Sequence, residues 1–113
     1  ERNLYKSSLK VLLMTENGEF AQHVSSAIIQ PIEELLVYFE ASHSDEEYLY
    51  FSGVLSLIKE PGNEADVITA VIELSKCAFL GFYYPDHLQE KINKILDDSI
   101  LIAHTMSADQ QPQ

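Results

Sequence analysis

Along most of this chain apolar residues recur at spacings of three and four, and the polar residues between them fall on the opposite side of a helical projection. No stretch shows the strict alternation that marks a half-buried strand. Four breakpoints divide the pattern: Asn17-Gly18, Ser42 to Ser44, Pro61-Gly62-Asn63 and Tyr84-Pro85-Asp86. Asn and Gly tolerate positive φ, whereas Pro fixes φ and ends a preceding helix, so each breakpoint has a physical cause. The pattern predicts an all-α fold, a compact bundle of about five helices with a central, mostly buried fourth helix.

The first predicted helix runs from Asn3 to Glu16, with Tyr5, Leu9, Leu12 and Leu13 on one stripe and Leu4, Val11 and Met14 on a second. Two apolar stripes predict two neighbours, one of which is expected to be a second copy of the protein or another helix of the bundle. The second helix, from Glu19 to about Ala41, is expected to bury Phe20, Val24, Ala27, Ile28, Leu35 and Phe39, with Pro31 imposing a kink or a fresh start at Ile32. Ser44 and Glu47 have the spacing of a capping box at the head of the third helix. Its core stripe is Tyr48, Phe51, Val54, Leu55 and Ile58. A second line, Tyr50, Gly53 and Leu57, is a candidate self-association seam where the glycine admits another backbone. The fourth helix, from a cap at Asn63 to about Tyr84, is apolar nearly all round. The fifth, Asp86 to about Ser107, carries the stripe Leu88, Ile92, Ile95, Leu96, Ser99, Ile102, Ala103 and Met106.

At 113 residues and 46% hydrophobic, the chain supports one continuous core and is too short for two ordinary ones. One helical domain is expected over residues 1–107, with 108–113 as a polar tail or the start of a linker. The chain opens on Glu1, which leads us to expect a piece of a longer protein. Its longest apolar run, Cys77 to Tyr84, falls well short of the roughly 18 to 20 residues of a membrane span, and no basic segment followed by an apolar one marks a signal peptide. A single cysteine forms no internal disulfide, which points to the cytoplasm or another reducing compartment.

Charge changes the picture more than composition does. Pro31 to Glu73 hold ten carboxylates against Lys59 alone, so most of the net charge of -11 sits in the middle of the chain. Such a balance repels phosphate backbones and anionic membranes, so neither nucleic acid nor membrane is an expected partner. Acids interleaved with Tyr38, Phe39, Tyr48, Tyr50 and Phe51 instead suit a basic, partly apolar protein partner. The candidate partner-binding residues are Glu33, Glu34, Asp45, Glu46, Glu47 and Tyr50.

Candidate chemistry is sparse. Glu40-Ala41-Ser42-His43 has the Glu-x-x-His spacing of di-iron bundles, but such a site needs a second copy of the motif and further glutamates, which the sequence lacks. Cys77 lies in the most apolar stretch, where a thiol behaves as a small hydrophobe and its thiolate is disfavoured. Adjacent acids such as Asp97-Asp98 point different ways on a helix and make no acid/base pair. No metal, cofactor or catalytic residue is expected. The sequence thus predicts a non-catalytic interaction or regulatory domain, with a homodimer as a further possibility. The alternative is a sensor binding a small apolar ligand among Phe51, Phe79, Phe82 and Tyr83.

Overall fold

The computed structural model describes residues 18–77 and 80–110, which form four helices with no strand among them. Helix α1 covers residues 18–41, α-helical over 18–24, π-helical over Ser25–Ile29 and α-helical again over Gln30–Ala41. It is followed by α2 (Asp45–Leu57), α3 (Glu64–Leu74) and α4 (Asp86–Gln110). The predicted helix Asn3–Glu16 and its Leu4, Val11 and Met14 seam lie outside the described residues, which hold four helices rather than the expected five. Residues 108–110, expected in a polar tail, continue α4.

Pro31 neither breaks α1 nor forces a restart at Ile32. A proline ring inside a helix removes one N–H and collides with the carbonyl four residues back. Here the preceding turn widens, and the Gln30 N–H donates to the Ser25 carbonyl five residues away. The π-turn gives the ring room, and Ile32 stays in register to be fully buried.

At its other end α1 stops through a backbone motif. The Ser44 N–H donates to the Phe39 carbonyl at 2.8 Å and the His43 N–H to the Glu40 carbonyl at 3.2 Å, the two crossed bonds of a Schellman motif. That motif needs a left-handed residue between them, and His43 supplies it at φ 59°. The predicted capping box is not formed: Ser44 makes no side-chain cap bond. The Ser42 hydroxyl spends its one proton on the Tyr38 carbonyl at 2.9 Å, so in the 2.9 Å contact between the two serines Ser44 must donate. A hydroxyl held there is turned away from the α2 amides.

Asn63 does cap α3, its side chain accepting from the Asp66 N–H at 3.1 Å, and Asp66 in turn accepts from the Glu60 N–H at 3.2 Å. This ties the 58–63 connection to the helix it precedes. However, α3 ends at Leu74, ten residues before the predicted end at Tyr84. The Lys76 N–H closes a tight turn on the Glu73 carbonyl, and the Ser75 hydroxyl takes the Ile72 carbonyl at 2.6 Å. Beyond it Gly81 sits at φ 75°, a conformation open to glycine and costly for other residues. Of the predicted central helix, Glu64–Leu74 is helical and residues 80–84 are irregular. Its exposed Ile72 shows that it is not surrounded on all sides.

Five rings close a circuit at this end of the bundle. Phe39 of α1 stacks on Phe51 of α2 at 5.7 Å, Tyr50 meets Phe51 at 4.9 Å and Phe82 at 5.9 Å, Phe82 meets Tyr84 at 6.3 Å, and Tyr84 returns to Phe39 at 6.2 Å. The 80–85 segment is thus anchored through Phe82 and Tyr84 without helical backbone, while Leu80 and Tyr83 face solvent. Helix α4 then runs antiparallel to α1. His87 meets Tyr38, Lys91 pairs with Glu34, Ile95 lies beside Ala27 and Pro31, and Ile102 lies beside Phe20. The buried Ser99 of α4 donates to its own Leu96 carbonyl at 2.9 Å and so brings no unsatisfied hydroxyl into the core.

Two stability measurements test this description. Phe51→Ala removes a ring that touches two others in the circuit and is expected to cost about 3–5 kcal/mol in urea unfolding. His43→Gly relieves a left-handed backbone and is expected to add about 1 kcal/mol. No gain from the glycine would mean that the His43 side chain carries a compensating interaction.

Candidate functional site

The predicted acidic surface is divided by the fold. Asp45, Glu46 and Glu47 make up the first turn of α2, where carboxylates face the positive end of the helix dipole. Asp45 and Glu46 are exposed, while Glu47 is half-buried on the side toward Tyr84. Glu33 is exposed on α1, and Glu34 reaches across to Lys91 of α4.

Tyr50 has an internal task. Its hydroxyl donates at 2.7 Å to the Glu73 carbonyl, which also accepts from the Lys76 N–H in the closing turn of α3. Its ring stands edge-on to Phe51 and Phe82. It stitches α2 to the end of α3 and shows only part of its surface.

Beside it runs a groove between α2 and α3 lined by Leu49, Tyr50, Gly53, Val54, Leu57 and Glu73, about 340 Å³ in volume. Leu49 is 70% exposed on its edge. Gly53 forms its low point, and a Cβ built there meets no atom within 4 Å. Among the described residues no other backbone approaches Gly53, and the space that its missing side chain leaves is open. Glu46 lies one turn before Leu49 on the same face of α2, and Asp66 lies two turns before Glu73 on the same face of α3. The groove is thus lined by apolar residues and one acid, Glu73, which pairs with Lys76 at 3.5 Å, while Glu46 stands beyond the lining toward the start of α2.

The residues expected around an apolar ligand are not assembled. Phe51 is fully buried in the ring circuit, Tyr83 is 87% exposed, and Phe79 lies outside the described residues. A different cavity of about 240 Å³ lies beneath Phe82 and Tyr84, lined also by Cys77, Gln89, Ile92 and Asn93. That is smaller than the roughly 300–1,000 Å³ usual for small-molecule sites. Its amides are engaged with each other, Gln89 donating to Asn93 at 3.1 Å.

Cys77 is a free, buried thiol 3.7 Å from the Tyr84 hydroxyl. Burial pushes the thiol's pKa up, against a smaller lowering by its bond to Tyr84. Burial, then the bond and proximity to Cys77, then Glu47 and Tyr50, raise Tyr84 far above an ordinary phenol. Tyr50 is raised by burial first, then by Cys77 and Glu73. All three groups are kept protonated, the opposite of what a nucleophile needs. Glu40 and His43 do not share a helix face, because His43 has already left the helix at positive φ. Among the described residues no group of three or more His, Cys, Asp or Glu side chains is placed to hold a metal ion.

The raised pKa values fix a pH dependence. The unfolded chain releases these protons near the ordinary 9.0 for cysteine and 10.0 for tyrosine, and the folded chain holds them to higher pH. Between those limits the folded state binds more protons, so stability complete below about pH 8.5 falls as pH rises further. Urea midpoints should be level from about pH 7 to 8 and decline above 9, with a shallower decline in Tyr84→Phe. An equal decline in Tyr84→Phe would place the effect elsewhere. Comparison with family models, with curated proteins and with solved structures finds no match for this chain.

Proposed function

We propose that this domain is a non-catalytic protein-interaction module whose α2–α3 groove receives a basic amphipathic helix of another protein. The observation that carries this reading is the groove itself: Leu49 stands exposed beside open space at Gly53, with Glu73 in the lining and the exposed Asp45 and Glu46 at the head of the same helix. An amphipathic helix docks by placing residues spaced three and four apart into such a channel. Lysines or arginines flanking those residues would meet Glu73 and the carboxylates at the head of α2. A second copy of this chain fits less well, because each copy brings a net charge of -11.

The division of labour follows from exposure. Leu49, Gly53 and Leu57 would supply the contact that holds the complex, while Asp45 and Glu46 at the head of α2 would draw a basic partner in. Rim charges raise the association rate more than they slow dissociation, and salt weakens them. Glu34, already paired with Lys91, contributes less.

Gly53→Ala separates function from stability. Replacing an exposed glycine inside α2 should stabilise the fold by about 0.5–1 kcal/mol, since no described residue opposes the added methyl. The same methyl raises the groove floor and should weaken binding. The probe is a 16-residue peptide with leucines at helical spacing flanked by lysines, compared with a scrambled peptide of the same composition. Titration by NMR should shift the amides of Leu49, Gly53 and Leu57 with the patterned peptide. Leu49→Asp should abolish those shifts, and Glu46→Gln should slow association at low salt. Equal binding of the scrambled peptide, or indifference to Leu49→Asp, would show that the groove is not the site.

A further inference from the structure

Between the 80–85 segment and α4 the packing leaves the recess of about 240 Å³ beneath Phe82 and Tyr84. The Phe82 and Tyr84 rings are committed to the aromatic circuit, and Gly81, at φ 75°, turns the backbone without a side chain to fill the space. A Cβ built on Gly81 meets no atom within 4 Å. Phe82, Ile92 and Leu96 form the apolar wall of the recess, while the Cys77 thiol, the Tyr84 hydroxyl and the amides of Gln89 and Asn93 belong to its polar part. Voids that stay empty in proteins are apolar, so a recess edged by these groups is suited to a polar occupant. It shares no lining residue with the α2–α3 groove.

We infer that this recess binds a small neutral molecule of one aromatic ring bearing a carboxamide or lactam group. Its size sets the first limit: about 240 Å³ is too little for a drug-sized compound, yet exceeds the roughly 150 Å³ in which a protein cavity takes up benzene. A single flat ring fits between Phe82 on one side and Ile92 and Leu96 on the other. Proton counting supplies the second limit. Cys77 and Tyr84 bring two protons to a contact that uses one. When the thiol donates to the phenol oxygen, the phenol proton is left for a carbonyl of the ligand. At the exposed mouth Gln89 donates from Nε2 to Asn93 Oδ1, which leaves the Gln89 carbonyl to accept a ligand N–H. Charge supplies the third. No Lys, Arg, Asp or Glu among the described residues lines the recess, so an ion entering it would lose water without gaining a counter-charge. Glu47 is near enough to Tyr84 to help keep its phenol protonated, which disfavours an anion further.

The test is an NMR titration of the full chain with benzamide, and with benzoate as the charged molecule of the same shape. Benzamide should give saturable shifts of the Gln89 and Asn93 side-chain amides and of the Gly81 backbone amide, half-complete below about 2 mM, with benzoate at least about tenfold weaker. Tyr84→Phe keeps the ring in the circuit and removes the hydroxyl, and should weaken benzamide at least about fivefold. Leu96→Phe fills the recess and should abolish the shifts. Circular dichroism establishes that each variant is folded. No saturable shift with benzamide, benzoate binding as tightly, or undiminished binding in either folded variant would overturn the inference. Should neither variant fold, nuclear Overhauser contacts from the benzamide ring to the Ile92 and Leu96 methyls of the unsubstituted protein decide: their presence supports the site and their absence overturns it.

Discussion

The aromatic circuit is the constraint on which the other features depend. Phe39, Phe51, Tyr50, Phe82 and Tyr84 come from α1, α2 and the 80–85 segment, and no two of these elements can move apart without opening a ring contact. Each such pair is worth about 0.5–1.5 kcal/mol beyond the area it buries. Its two phenols also carry polar handles outward: Tyr50 reaches the end of α3 and Tyr84 reaches Cys77. One cluster thus positions α3 as well, although α3 contributes no ring to it. Because those hydroxyls sit in apolar surroundings, they stay protonated, and the alkaline sensitivity of the fold follows from the same packing.

What could be read in advance was whatever depends on side-chain periodicity. The buried positions of α1 and α4 follow from three-and-four spacing, and Asn63 was legible as a cap because its side chain has a local amide to accept from. Periodicity fails where an apolar run can be buried in more than one backbone conformation. Cys77 to Tyr84 is equally apolar as a helix or as an irregular strand of chain, and the choice rests on Gly81 and on ring partners forty residues away in Phe39 and thirty away in Tyr50. The capping box failed for a different reason. Ser44 had two possible uses, and the nearer Ser42 hydroxyl, fixed by the end of α1, took it. A π-turn ahead of Pro31 leaves no compositional mark, so continuity through the proline had no sequence signal beyond the apolar register of Ile28, Ile32 and Leu35.

The candidate site was legible only in its chemistry. Acidity in the middle of the chain and the Gly53 seam were both visible in sequence, yet their juxtaposition required the fold. Helix α2 carries its acids on the first turn and its glycine on the third, and α3 adds Glu73 from across the groove. Lys91 pairs with Glu34 and Lys76 with Glu73, which no reading of net charge could show.

Several other apolar side chains are exposed, and the groove is distinguished from them by shape, not by exposure. Leu101, also exposed, edges a smaller recess of about 130 Å³ with Phe20 and Ile102, and Val37 and Tyr83 stand further into solvent than most surface residues. Isolated exposures of that kind are ordinary on a folded surface. Leu49 differs because the adjacent position toward α3 is glycine, so a partner side chain can descend past it to Val54 and Leu57. The helix gives up about 1 kcal/mol by placing glycine there instead of alanine. Among the described residues none uses the space that this cost creates. A cost in local stability that no described contact recovers, located in an apolar groove, is accounted for when the space is filled from outside.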